Sequence, residues 1–495
     1  MKRFYERNNY IIDSDVNVMF EDLLEMTPDR FEEWVIRMRV TLTEAWDAHG
    51  CPPRTGKNKQ EIIDSFNRLG EYPVHQFTHS DELSDVKDDI IMNKSRAGVE
   101  VDQWFSNMFK TRINYNENDD GYSIYDLVAN DDYLGRVVRG SARHLRRDSF
   151  YSHATSAIKH SKKHSIVDVG SAEEWLKVYF ENPEPFKGYD FMIEEVKKRD
   201  GLSSSYNQLE QSDILQLTKD QLDEWRAKLS YRHHSTFDIN NTTDEKLYAM
   251  TAKYLYERFT NDIKSQETIK IFDPSSGWGG RILGAMSCRD DRNIIYLGTD
   301  PNPDNFFDDG SSKYSSVADF YNTETYRSNP FFSSTNNYEI YQLGSEEIQH
   351  DNNFQKHKGS VDLIFTSPPY FNREAYSEDE NQSYKKYGSS YDSWRDGFLR
   401  PTLKTCVDWL KDDRYLLWNI ADIKMKDDYL PLEEDSKNIL EEYGMVYKYT
   451  LKMAMESMPG QNRVDENGIP KCKNFCKVKG RFLKYEPVFV FWKPK

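Results

Sequence analysis

No stretch of the 495-residue sequence approaches the roughly 20 consecutive apolar residues that cross a bilayer, so no membrane partner is expected. The opening residues, MKRFYERNNYIIDSD, lack the apolar run of a secretory leader, and the chain is expected to stay in the cytoplasm where it is made. Cysteine is scarce. The five (positions 51, 288, 406, 472 and 476) are scattered and odd in number, which argues against a disulfide framework and suits a reducing compartment. Cys472 and Cys476 lie close together but have no second pair at finger-like spacing and no nearby histidine, so no metal site is expected. Internal repeats and low-complexity tracts are missing too. So is an excess of positive charge: 83 acidic residues outweigh 66 Lys and Arg, for a net charge of −17. A phosphate-binding surface on such a chain has to come from basic residues gathered locally.

What is present points to two or three domains, since a chain this long exceeds one ordinary core. Apolar residues recur three and four apart over Phe31–Trp46 and Ile62–Leu69, the spacing of amphipathic helices, with a Pro- and Gly-bearing loop from Cys51 to Lys57 between them. Residues 1–205 are expected to form a mainly helical accessory region. A Ser-, Gln- and Asn-rich stretch begins near Gly201, and a linker is placed at 206–230, ahead of a second domain over 231–495. There, Leu247, Met250, Tyr254, Leu255 and Phe259 mark a helix, after which strands and helices alternate. Ile269–Phe272, Ile294–Gly298, Tyr338–Leu343, Val361–Phe365, Tyr415–Ile420, Met445–Met453 and Pro487–Trp492 read as strands. This alternation predicts an α/β fold with a doubly wound, mostly parallel, seven-stranded sheet.

Two loops in this domain carry chemistry. The first predicted strand runs into Asp273-Pro274-Ser275-Ser276-Gly277-Trp278-Gly279-Gly280, where glycines permit a tight turn and close approach of a ligand. Taken alone, such a loop fits a structural turn equally well. The second strand ends at Asp300, about twenty residues past the last loop glycine, the offset at which an acid reaches ribose hydroxyls in a doubly wound sheet. The pattern is not G-x-G-x-x-G, which disfavours a dinucleotide-binding oxidoreductase. The third strand ends at Leu343-Gly344-Ser345-Glu346, whose polar atoms are expected at the same crevice. The fourth runs into Thr366-Ser367-Pro368-Pro369-Tyr370, where two prolines force the chain out of the sheet. Ser367 and the Pro368 carbonyl can accept the protons of a planar amine while the Tyr370 ring stacks on its base.

These two motifs resemble those of the amino-directed DNA methyltransferases, the class I enzymes that methylate N4 of cytosine or N6 of adenine. The resemblance covers roughly residues 231–495, and the whole layout resembles phage-encoded methylases, which would place the protein in a bacterial or phage-infected cell. It implies S-adenosylmethionine as cofactor, double-stranded DNA as substrate, and a flipped-out target base. It assigns Ser367, Pro368, Pro369 and Tyr370 to catalysis, and Asp273, Pro274, Ser275, Gly277, Gly279, Asp300, Ser345 and Glu346 to the cofactor. Phe237 looks like the family's residue packed beside the cofactor, and Glu486 with the strand after it resembles the family's last strand. The Thr-Ser-Pro-Pro-Tyr form is typical of N4-cytosine enzymes, which puts cytosine slightly ahead of adenine. Trp278 between the loop glycines and the missing Gly-Asp pair after the third strand are departures from the pattern.

Two basic clusters are candidate DNA contacts: Arg139, Arg143 and Arg146 in the N-terminal region, and Arg463, Lys473, Lys477 and Arg481 before the last strand. Lys385 lies in the tyrosine-rich stretch from Phe371 to Trp394, expected to be a mobile loop over the site. The alternatives are an RNA or protein-glutamine methyltransferase of the same fold, or a non-catalytic nucleic-acid-binding subunit.

Overall fold

The computed structural model describes residue 23 and residues 26–49, 58–72, 78–91, 97–113, 122–139, 248–264, 267–288, 292–326, 336–454 (without 378, 389 and 425–428) and 472–495. The 206–230 linker, Phe237, Arg143, Arg146 and Arg463 lie outside the described residues.

Seven strands make the core: β4 (Thr268–Asp273), β5 (Asn293–Thr299), β6 (Asn337–Tyr341), β7 (Val361–Thr366), β9 (Leu410–Asn419), β12 (Val446–Ala454) and β14 (Arg481–Trp492). They lie in the order β6-β5-β4-β7-β9-β14-β12, the class I methyltransferase sheet. All pairings from β6 to β9 are parallel, and β14 alone runs antiparallel, inserted between β9 and β12. The remaining strands are short: β1 (Thr78–His79), β2 (Ile90–Ile91), β3 (Arg112–Ile113), β8 (Glu374–Ala375), β10 (Ile423–Lys424), β11 (Tyr429–Leu430) and β13 (Phe475–Val478).

Each strand's burial explains its place. Every residue of β7 is buried, as a strand covered on both faces requires. One face carries α3 (Tyr248–Phe259), α4 (Gly280–Met286) and α5 (Lys313–Glu324), whose Leu255, Ile282, Leu283 and Val317 pack with Ile271 and Leu363. The other carries α6 (Arg400–Trp409) and α7 (Leu432–Glu442), where Leu403, Trp409 and Leu440 pack with Phe272 and Ile364. No helix among the described residues is long and apolar enough to cross a membrane.

The N-terminal residues contribute more than helices. Helices α1 (Pro28–His49) and α2 (Lys59–Glu71) form where the periodicity places them. Asn58 caps α2 by accepting from the Glu61 amide (3.0 Å), and the Glu61 carboxylate accepts from the Asn58 amide (2.8 Å). Beyond them, β2 pairs in parallel with β12, and β1 pairs with β2, so the sheet extends into N-terminal sequence. Ile62, Phe66 and Leu69 of α2, together with Val101, Phe105 and Phe109, share one core with α3, α4 and α5. Thus the described residues 59–109 pack as part of the catalytic sheet's own core.

From β4 the chain steps outward through β5 to β6, then returns to β7 on the other side of β4. The crevice at such a reversal, outside the carboxyl ends of β4 and β7, is where open α/β sheets bind ligands.

Candidate active site

Both chemistry-bearing loops leave the sheet at this crevice. Asp273, the last residue of β4, is fully buried, and its carboxylate is completely engaged. One oxygen accepts from Arg281 Nε (2.7 Å) and the Tyr296 hydroxyl (2.5 Å), the other from Thr366 Oγ1 (2.7 Å) and the Ser275 amide (3.3 Å). Thr366 is the last residue of β7, so a single carboxylate ties the roots of the two loops together. Arg281, equally buried, also bonds the Ser275 carbonyl. Asp273 therefore holds the glycine loop to β5 and β7 through these four hydrogen bonds.

The loop above it uses its glycines. Gly277 and Gly279 adopt φ of 58° and 81°, the left-handed region that side chains disfavour. A Cβ on Gly279 would also collide with the Phe105 ring. The Ser276 amide donates to the Thr299 carbonyl (2.9 Å), and Thr299 Oγ1 donates to the Pro274 carbonyl (2.7 Å), lashing the loop to β5. Ser276 Oγ is buried with no partner, and a Cβ on Gly298 would stand 2.5 Å from it.

At the end of β5, half-buried Asp300 accepts from the Asn302 amide (2.9 Å), Asn305 Nδ2 (2.6 Å) and the Tyr314 hydroxyl (2.5 Å). Burial pushes its carboxyl above the usual range, although these hydrogen bonds pull the other way. Beyond β6 the two expected residues diverge. Ser345 is buried with its hydroxyl 2.9 Å from Thr402 Oγ1 on α6. Glu346 accepts from the Tyr387 hydroxyl (2.8 Å) and Lys386 Nζ (3.1 Å). Burial works against the Lys386 charge, but hydrogen bonds to Glu347 and Glu346 outweigh it and hold its pKa up.

After β7, Ser367, Pro369 and Tyr370 are half-buried and Pro368 is buried. Phe371 follows in a left-handed conformation (φ 50°), its ring packed against Trp394 (5.7 Å) and Tyr391 (5.8 Å). This strained turn anchors the loop from behind. The stretch from Phe371 to Trp394, expected to be a mobile loop, is instead tied down. Strand β8 pairs with β3 from the N-terminal region, and Phe371, Tyr384 and Trp394 are buried.

The basic candidates are occupied. The Arg139 guanidinium lies 3.8 Å over the Phe31 ring. Lys385 pairs with Glu380 (3.9 Å), Lys477 with Glu82 (3.8 Å), and Lys473 with Asp422 and with Glu433 (3.2 Å). Arg481 opens β14. Phe105, Asn107, Arg281 and Tyr314 belong to the site without having been singled out in the sequence, and Thr366 was part of the Thr-Ser-Pro-Pro-Tyr motif without a role of its own. Of the first four, Arg281, next to the loop glycines, had a local signal.

Residues 361–495 match the family model for DNA methylases. Among solved structures, the chain is similar to a candidate DNA modification methylase from Thermus thermophilus complexed with S-adenosyl-L-methionine (16% identity, 30% of this chain and 53% of that one, TM-score 0.20). It is also similar to a candidate class I S-adenosylmethionine-dependent methyltransferase from Listeria monocytogenes (12%, 71% and 89%, TM-score 0.29) and to YcgJ from Bacillus subtilis (11%, 50% and 99%, TM-score 0.29). The match spans about half the length of the Thermus protein. A search of curated proteins gives no match.

Proposed function

We propose that the chain is an S-adenosylmethionine-dependent DNA methyltransferase acting on the exocyclic amine of a flipped base, N4 of cytosine ahead of N6 of adenine. The observation that carries this reading is the Asp273–Thr366 hydrogen bond at the strand-order reversal. It fixes the glycine loop and Ser367–Tyr370 as two walls of one crevice. The match of residues 361–495 to the DNA methylase family supports the substrate class.

The residues present fit the cofactor. In the glycine loop the buried Ser276 Oγ has no partner among the described residues, and Asp300 presents a carboxylate at the ribose offset. Asp300 and the glycine loop would hold the nucleoside and amino-acid ends, with Glu346 toward the base. When bound, the cofactor supplies a methyl group on a sulfonium, already an electrophile.

The protein's own work is to place and prepare the amine. An exocyclic amine conjugated with its ring is a weak nucleophile. Ser367 Oγ and the Pro368 carbonyl accept its two protons, drawing the nitrogen toward tetrahedral geometry and freeing its lone pair. Tyr370 stacks on the extruded base and offsets part of the few kcal/mol that flipping costs. No thiol is needed: Cys288 and Cys406 lie in the core, and burial pushes the Cys406 thiol far up. Ser367 at the acceptor position favours cytosine.

The test is incubation of the purified chain with labelled S-adenosylmethionine and unmodified DNA, followed by nucleoside mass spectrometry. N4-methylcytosine is the expected product, reduced about 100-fold or more in Ser367→Ala and Tyr370→Ala. N6-methyladenine would correct the base. Label in RNA or protein but not in DNA would correct the substrate, and absence of cofactor binding would remove the enzyme reading.

A further inference from the structure

A row of polar side chains leads from the N-terminal region to the acid at the end of β5. Lys313 Nζ donates to Asn107 Oδ1 (2.6 Å), Asn107 Nδ2 donates to Asn305 Oδ1 (2.9 Å), and Asn305 Nδ2 donates to Asp300 Oδ2 (2.6 Å). An ammonium only donates and a carboxylate only accepts. With both ends fixed, each amide has a single orientation, and the row runs one way from cation to anion. Lys313 also acts on Asp300 through space, favouring its charged form against burial. Asn107 cannot drift away from this position. It sits in the helical turn Ser106–Lys110, beside fully buried Phe105, whose ring packs on Tyr314 (4.9 Å) and against Gly279. Tyr314 in turn bonds both Asp300 and the Gly277 carbonyl (2.5 Å each).

We infer that Asn107 is a positioning residue of the cofactor site, orienting Asp300 through Asn305 from a segment nearly two hundred residues upstream. The inference rests on the reading of Asp300 as the acid that meets the ribose hydroxyls. It makes the N-terminal region a determinant of cofactor affinity, separate from any part in DNA recognition.

Two variants of the full chain test it, with affinity for S-adenosylhomocysteine measured by calorimetry and KM and kcat followed in parallel. Asn107→Ala removes two hydrogen bonds from the row, the one from Lys313 and the one to Asn305, and cofactor affinity should fall about tenfold, with kcat changing less than about twofold. Asn107→Asp is more telling. It keeps and strengthens the hold on Lys313 but has no N–H to offer. Asn305 must then turn its amide to donate to the new carboxylate, which aims its carbonyl at Asp300. Asn107→Asp should therefore lose at least as much affinity as Asn107→Ala while keeping the wild-type melting temperature. If Asn107 were a mere tether for the turn, Asn107→Asp would bind as wild type does, and that result would overturn the inference while leaving the cofactor site intact. A wild-type chain that binds neither S-adenosylmethionine nor S-adenosylhomocysteine would remove the reading beneath it, and the inference with it.

Discussion

Asp273 receives hydrogen bonds from Arg281, Tyr296, Thr366 and the Ser275 amide while fully buried, so its charge is balanced only by this set of donors. Removing one partner of a buried ion pair leaves the other charge uncompensated, at a cost of about 3–5 kcal/mol. Asp273→Asn should therefore lower stability in urea unfolding by that amount and abolish cofactor binding. Thr366→Val takes away one donor of similar shape, so the expected loss is about 1–2 kcal/mol, with cofactor affinity reduced in a chain that still folds. Equal effects of the two substitutions on stability would contradict this division. The sequence showed where Asp273 lies but not which way it faces. A carboxylate beside glycines reads as a ligand contact, whereas its partners Tyr296 and Thr366 arrive from other strands that local pattern does not connect. The partner of Ser345 was equally hidden, its hydroxyl meeting Thr402 on a helix more than fifty residues later.

At the scale of elements, the β1–β2 hairpin is held to the sheet by charge as well as by backbone pairing. Lys452 on β12 bonds Asp81 (2.6 Å) and Asp89 (2.7 Å), both carboxylates buried. Burial raises the Asp81 pKa, but hydrogen bonds from Lys452 and from the Lys477 and Leu83 amides outweigh it and leave it below its ordinary value of 3.8. A depressed carboxylate contributes stability above its unfolded pKa and loses it as pH falls through the folded one. The Lys452 pKa is raised above 10.5: burial opposes the charge, and the two aspartates outweigh it. Its contribution is complete below that value and lost above it. Lys452→Met should cost about 3–5 kcal/mol at neutral pH, because two buried acids are left facing each other. In thermal melts across pH, the gap to wild type should narrow below about pH 4 as Asp81 protonates. A gap that stays constant there would show that the clamp is not electrostatic. Elements of this kind were hidden from the sequence: β1 and β2 are two residues each, too short for any alternation to register. The seven core strands were legible, since strand-like segments alternate with helical ones, and α1, α2 and α3 declared themselves by their spacing.

For the whole molecule, Trp46 and the described residues 59–109 share one interior with the sheet, whereas Phe31, Trp34, Val35 and Leu134 form a small cluster of their own. Phe66 packs against Phe320 and Tyr321 of α5, and Phe105 against Trp278 and Tyr314. A chain beginning at residue 231, the boundary the composition suggests, would lay bare the inner faces of α3, α4 and α5. We expect such a fragment to aggregate or to lose its near-ultraviolet circular dichroism. A monomeric fragment with a sharp melt would show that the catalytic sheet closes its core unaided. The net charge of −17 also acts at this scale. DNA approaches a molecule that repels it overall, so binding should weaken only modestly from about 50 to 200 mM salt if few phosphates are neutralised. A salt slope as steep as that of a protein making about ten phosphate contacts would point to a continuous cationic surface facing the DNA.

The place of β14 bears on how the molecule comes into being. It is the last strand of the described chain, yet it lies between β9 and β12, hydrogen-bonded to both. While the nascent chain is still emerging, β9 and β12 each present an open edge, and the row of strands that holds the crevice is separated from the one that receives the hairpin. Unpaired edges are templates for wrong partners. The strand that joins them is thus made after both, and until β14 drops into place each edge can recruit a wrong partner.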